Sequence, residues 1–201
     1  MAWVLDVFIG FFLISEGEQM RMRKWVRIVG LACLALTRSI QAGNFEVVGL
    51  VIDVPANFEG PVVSQPAAHS KTYAFTVASV VLSPSTVLQI TSVDLGADLG
   101  KHKNAELTEI TSRYLLQMLS GIESRRTEYQ RSKPGSIRLG GVSGAEITWS
   151  GKLSGLETNG AMYCVAVGTG LAFFHVSGGG RVPNPDMKAA IKAVEALHLA
   201  P

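Results

Sequence analysis

Several segments between residues 45 and 95 have apolar residues at every second position, which is typical of β-strands. Residues 45–54 are rich in β-branched side chains and stop at Pro55, so they predict a strand or a hairpin. Residues 72–77 and 87–95 alternate apolar and polar side chains and predict two further strands. Residues 55–68 are interrupted by prolines and a glycine, and predict a loop.

The period changes to that of a helix over residues 105–125. Apolar side chains recur there at intervals of three, seven and eight residues, which places them on one helical face. Asn104 stands where an N-cap is expected, and Arg125 and Arg126 stand where the helix dipole favours positive charge. The sequence therefore predicts a long amphipathic helix after the first strands.

The period of two returns after this helix. It predicts three more strands, at residues 145–150, 161–167 and 171–176. The dipeptide Asn159-Gly160 is typical of tight hairpin turns, so it predicts a turn before the second of these strands. Three consecutive glycines at residues 178–180 end the predicted sheet.

A second helix closes the chain. Asn184 is its predicted cap, Pro185 its first residue and Asp186 an acid in its first turn, and an apolar stripe follows as far as Leu197. Groups of strands separated by helices favour an α+β fold over a parallel sheet. We predict an antiparallel β-sheet of about six strands packed against two main helices, an α/β sandwich in the order βββ-α-βββ-α.

Residues 20–42 have the order of a cleavable signal peptide. A basic segment at residues 21–27 precedes nine apolar residues, 28–36, and small or aliphatic residues then lead to Ala42 and Gly43. The apolar run is too short to span a bilayer, which takes about 20 residues. We predict export, with cleavage between Ala42 and Gly43.

The segment before the signal peptide needs a separate explanation, because a signal peptide starts a chain. Met20 and Met22 are both natural starts, so our hypothesis is that residues 1–19 are a mis-assigned upstream extension. The alternative is that residues 3–14 form a second membrane-embedded stretch. Residues 43–201 are then predicted to be a single α+β domain.

Cys33 opens another alternative. It follows Gly30-Leu31-Ala32, an order similar to a lipobox, in which a diacylated cysteine becomes the mature N-terminus. The lipobox pattern has leucine three residues before the cysteine, where this chain has Gly30. A lipidated Cys33, or a retained N-terminus, would place the protein on a membrane.

The charge of the predicted domain excludes some partners. Five of the 18 basic residues and three of the 16 acidic residues precede residue 43, which leaves 13 of each after it. A neutral domain has no long-range field to attract nucleic acid. The predicted partner is therefore an unknown envelope protein or a small ligand, and not a nucleic acid.

The metal-ligating residue types are scattered. The four histidines have no close spacing in the sequence: His69, His102, His175 and His198. Cys164 could face His175 across a predicted hairpin, but this would supply two ligands only. A metal site needs several converging ligands. No metal site and no cofactor is predicted.

No set of residues has the spacing of a known catalytic motif. Ser143 follows Gly141 in the order of a nucleophile elbow, but Ala145 replaces the final glycine of that motif. The other glycine-rich segments lack the residues of a phosphate-binding loop. We predict no catalytic residue and a non-enzymatic protein. The alternative is a hydrolase-like site assembled from the distant residues Ser143, His175 and Asp94.

Several local patterns resemble the PsbP-like fold family, which includes bacterial envelope proteins such as DcrB. They are the opening residues 51–58, the helix at residues 107–122, and the late hairpin that leads into the closing helix. The resemblance covers about residues 45–199 and implies the predicted fold and a non-catalytic accessory or binding role. The resulting expectation is a periplasmic or secreted accessory protein of the bacterial envelope.

Overall fold

A computed structural model describes residues 43–77 and 85–201. Within them, one large antiparallel sheet carries a long helix on one face, and a second helix with a small sheet on the other. The predicted extension, the signal peptide, Cys33 and Ala42 lie outside the described residues.

The first half of the fold is mostly strand. Its elements are β1 (Asn44–Val47), β2 (Leu50–Asp53), β3 (Glu59–Ser64), β4 (Ser70–Val77), β5 (Thr86–Asp94), a 3-10 turn (Leu99–Lys101) and α1 (Asn104–Glu123). The second half again runs from strands to a helix, then adds a short strand, and it contains the three longest strands. Its elements are β6 (Thr127–Arg131), β7 (Gly135–Leu139), β8 (Val142–Leu153), β9 (Leu156–Val167), β10 (Gly170–Gly179), α2 (Pro185–Glu195) and β11 (His198–Leu199).

The large sheet has eight strands. Seven follow the order β3-β4-β5-β10-β9-β8-β6, and β7 pairs with the part of β8 that β6 leaves free. The small sheet has the order β1-β2-β11, and every described pairing in both sheets is antiparallel. The predicted α+β class and two-helix sandwich are confirmed, although the large sheet has eight strands where the sequence predicted about six.

The sheet separates two hydrophobic cores. On one face, α2 and β1–β2 pack over the large sheet; typical buried residues there are Leu88, Ile90, Phe174, Met187 and Val194. On the other face, α1 packs over β8 and β9; typical buried residues there are Leu115, Leu119, Ile147, Cys164 and Phe173. Because both faces of the sheet are covered, β9 and β10 are buried along almost their whole length.

The predicted loop at residues 55–68 is wrong, because β3 occupies part of it. β3 contains Pro61, which has no backbone N–H to donate to a sheet. The strand tolerates this proline because it lies at the edge of the large sheet and pairs on one side only, with β4.

The predicted turn at Asn159-Gly160 is also wrong. Both residues lie inside β9, and the chain turns instead at Ser154-Gly155, where both φ angles are positive (51° and 81°). The hairpin predicted within residues 45–54 is confirmed, and its turn is formed by Val48 and Gly49.

The two helix starts differ in their capping. Asn104 is the first residue of α1 and not its cap, and Lys103, which precedes it, makes no side-chain capping bond. Asn184 caps α2 as predicted, since its Oδ1 accepts a hydrogen bond of 2.8 Å from the N–H of Met187. No helix in the described ranges has the length and apolar character needed to cross a bilayer.

Candidate functional site

A groove of about 430 Å³ lies between α2 and the strands β6, β8 and β9. We call it the α2 groove. Its volume falls within the range of small-molecule sites, about 300–1,000 Å³.

The floor of the α2 groove is polar. In β8 the side chains of Thr148 and Ser150 point away from α1, because alternate residues of a strand face opposite sides and Trp149 belongs to the α1 core. Antiparallel pairing sets Ala161 beside Thr148 and Asn159 beside Ser150. Two hydroxyl groups and an amide therefore lie on neighbouring strands at the base of the groove.

The end of β6 forms one side of the groove. The N–H of Ser132 donates to the carbonyl oxygen of Thr148 at 2.9 Å, and the N–H of Thr148 donates to the Ser132 hydroxyl at 3.1 Å. These two bonds hold Ser132 against β8. Gln130, two residues before Ser132, pairs with Ser150 and adds an exposed amide to the lining, whereas the Asn159 amide is buried.

The opposite side is apolar. Ile191 and Pro183, both half-buried, form its surface, and the fully buried Met187 lies beside Ile191 in α2. The Asn184 cap and Pro185 fix where α2 begins, and so they fix where Ile191 borders the groove. The arrangement joins hydrogen-bonding groups on the floor to an apolar wall, which is typical of ligand sites.

The charged residues of the lining are all basic. Arg181 contributes its side chain, whereas Arg131 pairs with Trp149, so its side chain points to the α1 face and its backbone lines the groove. The lining contains no aspartate or glutamate. Arg181 donates from Nε to Glu157 Oε1 at 3.2 Å, outside the lining. Arg131 makes only a long contact of 3.5 Å to the carbonyl oxygen of Ser132.

A polar and aromatic cluster lies on the other face of the same strands. We call Arg126, Tyr129, Trp149 and His175 the Trp149 cluster. The guanidinium carbon of Arg126 lies 4.4 Å from the centre of the Trp149 ring, and the rings of Tyr129 and His175 lie 6.4 and 5.7 Å from it. Such cation–π contacts stabilise a fold by about 0.5–2 kcal/mol.

Three polar atoms of the Trp149 cluster are enclosed without a hydrogen-bond partner in the described part of the chain. They are Tyr129 Oη, Trp149 Nε1 and His175 Nε2. Arg126 is better satisfied, because Nε donates to Thr158 Oγ1 at 3.3 Å and Nη1 donates to the carbonyl oxygen of Ile122 at 3.0 Å. The second bond ties Arg126 to the last turn of α1, so this residue links the helix to the sheet.

Burial governs the ionisation of the cluster. Burial, with a smaller contribution from the positive charge of Arg126, lowers the pKa of His175 from 6.5 to about 3. Burial also lowers the pKa of Arg126, to about 10, which still leaves this side chain charged at neutral pH. The cluster therefore holds a neutral imidazole near a partly buried cation.

The depressed pKa of His175 predicts a loss of stability in acid. Below pH 6.5 the unfolded chain binds a proton at this residue and the folded chain does not, so the free energy of unfolding falls as the pH falls toward about 3. One proton corresponds to at most about 1.4 kcal/mol per pH unit. We expect urea unfolding of the native chain to lose about 1 kcal/mol more than His175→Gln between pH 6 and pH 5. Equal losses in the two proteins would contradict this assignment.

The structure does not bring together the three residues of the alternative hydrolase site. His175 shares a row of the sheet with Ile147, and Ser143 lies four residues further along β8, which corresponds to about 13 Å. Asp94 pairs with Gly170, five residues from His175, or about 16 Å along β10. The Asp94 carboxylate is instead bound by the N–H of Gly96 and the hydroxyl of Thr169, which lower its pKa.

The metal-ligating residue types stay apart as well. Cys164 pairs with Phe173, so it lies diagonally from His175 and not directly opposite it. His102 contacts Glu106 at 3.0 Å, and His198 lies exposed in β11. Within residues 43–77 and 85–201, no group of three or more histidine, cysteine, aspartate or glutamate side chains could hold a metal ion.

Gly43, the residue predicted to follow the cleavage site, is the first described residue. Its carbonyl oxygen accepts a hydrogen bond of 3.2 Å from the N–H of Val54, at the far end of the β1–β2 hairpin. The domain therefore has a place for Gly43 beside β1, while cleavage after Ala42 stays a prediction.

Sequence comparison does not place the chain in a family. No protein-family model matches it, and no curated protein matches it. The PsbP-like resemblance therefore stays a prediction.

Solved structures with a similar fold come from several bacteria. LpqN of Mycobacterium tuberculosis, described as involved in cell envelope biogenesis, matches with a TM-score of 0.44 and 15% identity over 76% of this chain and 83% of that one. A Pseudomonas aeruginosa protein of unknown function matches with a TM-score of 0.45 and 12% identity over 80% of this chain and 99% of that one. A Bacteroides thetaiotaomicron protein matches with a TM-score of 0.44 and 13% identity over 81% of this chain and 50% of that one. At these identities the chain is similar to all three at the level of the fold.

Proposed function

We propose that this protein is a non-enzymatic, exported accessory protein of the bacterial envelope that binds a small ligand in the α2 groove. The groove itself is the observation that carries the proposal. It combines a suitable volume, a floor of hydroxyl and amide groups, and an apolar wall fixed by a capped helix.

The assignment to the envelope rests on the leader. Residues 20–42 have the basic, apolar and small-residue order of a signal peptide, and a domain that begins at Gly43 keeps its β1–β2 hairpin complete. The intact mass of the protein from the envelope of its native host tests this. We expect the mass of residues 43–201. A mass that begins at Cys33 with acyl chains would support the lipoprotein alternative, and a mass that includes residue 1 would contradict cleavage.

The proposal that the protein is not an enzyme rests on the arrangement of the reactive side chains. Ser143, His175 and Asp94 lie on separate parts of the sheet, and the Nε2 atom of His175 is enclosed. The hydroxyl groups of the α2 groove have no histidine or carboxylate among their neighbours in the lining. A serine or threonine needs such a base to act as a nucleophile, so the groove is suited to binding.

A fragment screen by fluorine NMR, followed by amide NMR spectra of the protein with each bound fragment, tests the groove. We expect fragments to bind the native chain and to shift the amide resonances of Thr148, Ala161 and Ile191, which line the groove. Thr148→Trp should abolish this binding, because Thr148 is exposed at the centre of the floor and tolerates a large side chain that fills the space.

Ser136→Trp is the matched control, since Ser136 is also exposed in a strand but lies outside the lining. We expect this variant to bind the fragments as the native chain does. Binding that survives Thr148→Trp, or no binding at all, would contradict the proposed site. A fragment recovered in a chemically altered form would contradict the non-enzymatic assignment.

A further inference from the structure

We propose that the protein attaches to anionic lipid membranes through one edge of its large sheet, where Arg131, Lys133 and Arg138 are exposed. We call these three residues the basic edge. Attachment through it needs no lipid anchor and does not depend on the α2 groove. The distribution of charge along the chain, the exposed cations and the geometry of the edge each support the proposal.

The first support is the distribution of charge along the chain. The domain is neutral as a whole, but residues 125–138 hold five of the 13 basic residues and one of the 13 acidic residues that follow residue 42. The rest of the domain holds eight basic and 12 acidic residues, so its net charge is negative. At the opposite edge of the large sheet, β3 has Glu59 as its only charged residue. The two edges of the sheet therefore differ in charge, which would orient the domain toward an anionic surface.

The second support is that the cations of the basic edge are not neutralised. In the described part of the chain, every ion pair involves other basic residues. Arg138 donates from Nη2 to the carbonyl oxygen of Gly141 at 2.7 Å, and Arg131 makes its long contact to the carbonyl oxygen of Ser132. A carbonyl oxygen carries no formal charge, so the positive charge of both arginines remains.

Three acidic residues border the basic edge without cancelling its charge. Glu128 binds Lys152 at 2.6 Å, Glu123 is the last residue of α1, and Glu146 packs beside the start of β7. Residues 125–138 together with Lys152, Glu123 and Glu146 hold six basic and three acidic residues. The region therefore stays positive when its acidic neighbours are included.

The third support is the geometry of the edge. Arg131 pairs with Trp149, and Arg138 pairs with Ser143, which lies six residues earlier in β8, or about 20 Å along the strand. Six is an even number of residues, so both arginines point to the face of the sheet that carries the α1 core. Lys133 lies between them, in the connection from β6 to β7. The three cations therefore form a row along one edge of the sheet.

An anionic bilayer fits this row better than a small anion or a partner strand. A bilayer presents phosphate groups over a plane, so it can meet all three cations at once, and guanidinium groups bind phosphate oxygens through parallel N–H donors. A small anion would reach only part of a row of about 20 Å. A partner strand is disfavoured, because exposed charges and Pro134 on a sheet edge oppose pairing with another chain.

Co-sedimentation of the full chain with lipid vesicles tests the proposal. We expect the chain to bind vesicles of phosphatidylcholine with about one third phosphatidylglycerol more tightly than vesicles of phosphatidylcholine alone, and the difference to shrink as salt is added. One basic residue near an anionic surface strengthens attachment about fivefold. The triple variant Arg131→Gln, Lys133→Gln and Arg138→Gln should therefore weaken binding to the anionic vesicles about 100-fold.

A matched triple variant separates the basic edge from net charge. Lys103→Gln, Lys188→Gln and Lys192→Gln remove the same amount of charge from exposed residues before α1 and in α2. We expect this control to weaken binding less than about threefold. Residues 1–42 are identical in all three proteins, so any contribution of the leader is shared. Thermal unfolding shows that both variants fold, since each changes only exposed side chains.

The outcomes are distinct from those for the proposed function. An unchanged affinity in the basic-edge variant, or equal losses in the two triple variants, would overturn the proposal. Failure of the native chain to bind anionic vesicles would do the same. If the chain binds polyglutamate and not vesicles, the partner is an acidic chain and the assignment to lipid is wrong. None of these results bears on the α2 groove, which the fragment screen tests separately.

Discussion

Replacing Phe174 by alanine is expected to lower the free energy of unfolding by about 3–5 kcal/mol, the usual cost of removing a buried aromatic side chain. Phe174 is fully buried in the middle of β10, between Ile90 on β5 and Tyr163 on β9, on the face that packs against α2. A cavity at this position would remove packing contacts between the sheet and the layer formed by α2 and the small sheet. Urea unfolding at pH 7 measures the loss.

Two further variants show whether the loss comes from the cavity. Phe174→Leu keeps most of the volume and should cost less than half as much. Leu156→Ala removes a side chain that is 40% exposed beside the β8–β9 turn, so it should cost less than about 1 kcal/mol. A loss for Phe174→Ala that is no larger than the loss for Leu156→Ala would contradict the described core.

Replacing Gly160 by alanine is expected to cost about 3 kcal/mol, at the upper end of the range for overpacking. A Cβ atom at Gly160 would lie 2.5 Å from Cε2 and Cζ2 of Trp149, which pairs with it across β8 and β9. The indole ring cannot easily move away, because Arg126 and Tyr129 pack against it in the Trp149 cluster. Thermal or urea unfolding checks the value.

A double-mutant cycle identifies the clash. Trp149→Phe removes the ring atoms that the new Cβ would meet, so Gly160→Ala should cost much less in that background. Gly135→Ala is a control, since its Cβ would meet the flexible Glu146 side chain at 3.4 Å. We expect it to change stability by less than about 1 kcal/mol. Additive costs at Gly160 and Trp149 would contradict the proposed contact.

Local sequence signals predicted the elements that depend on local chemistry. Asn184 and Pro185 start α2 where expected, because a cap and a first-turn proline act on neighbouring backbone groups. The β-branched run at residues 45–54 became the β1–β2 hairpin. These signals do not need the rest of the chain.

The wrong predictions depended on tertiary contacts. Asn159-Gly160 has the local pattern of a turn, but Gly160 is required because the Trp149 ring covers it, a contact that no local pattern shows. Pro61 is typical of a loop, but its missing N–H costs nothing at a sheet edge. Glycine and proline have more than one structural use, and only the fold determines which one applies.

The candidate site was only partly visible in the sequence. The alternation of β8 placed Thr148 and Ser150 on its polar face, which is the floor of the groove. Gln130 and Arg181 are far apart in the sequence, and they share a lining because β6 and the segment before α2 lie on either side of β8 and β9. Strand order, which the sequence does not state, brings them together.

The position of Cys164 bears on the proposed export, because an exported protein folds in an oxidising compartment. Its side chain is fully buried under α1, and burial raises the pKa of the thiol, so the reactive thiolate does not form at physiological pH. Once the domain has folded, this thiol is shielded from oxidants and from mixed disulfides with other chains. The same cysteine becomes reactive when the sheet opens, so an unfolded molecule would be trapped by oxidation while a folded one is spared.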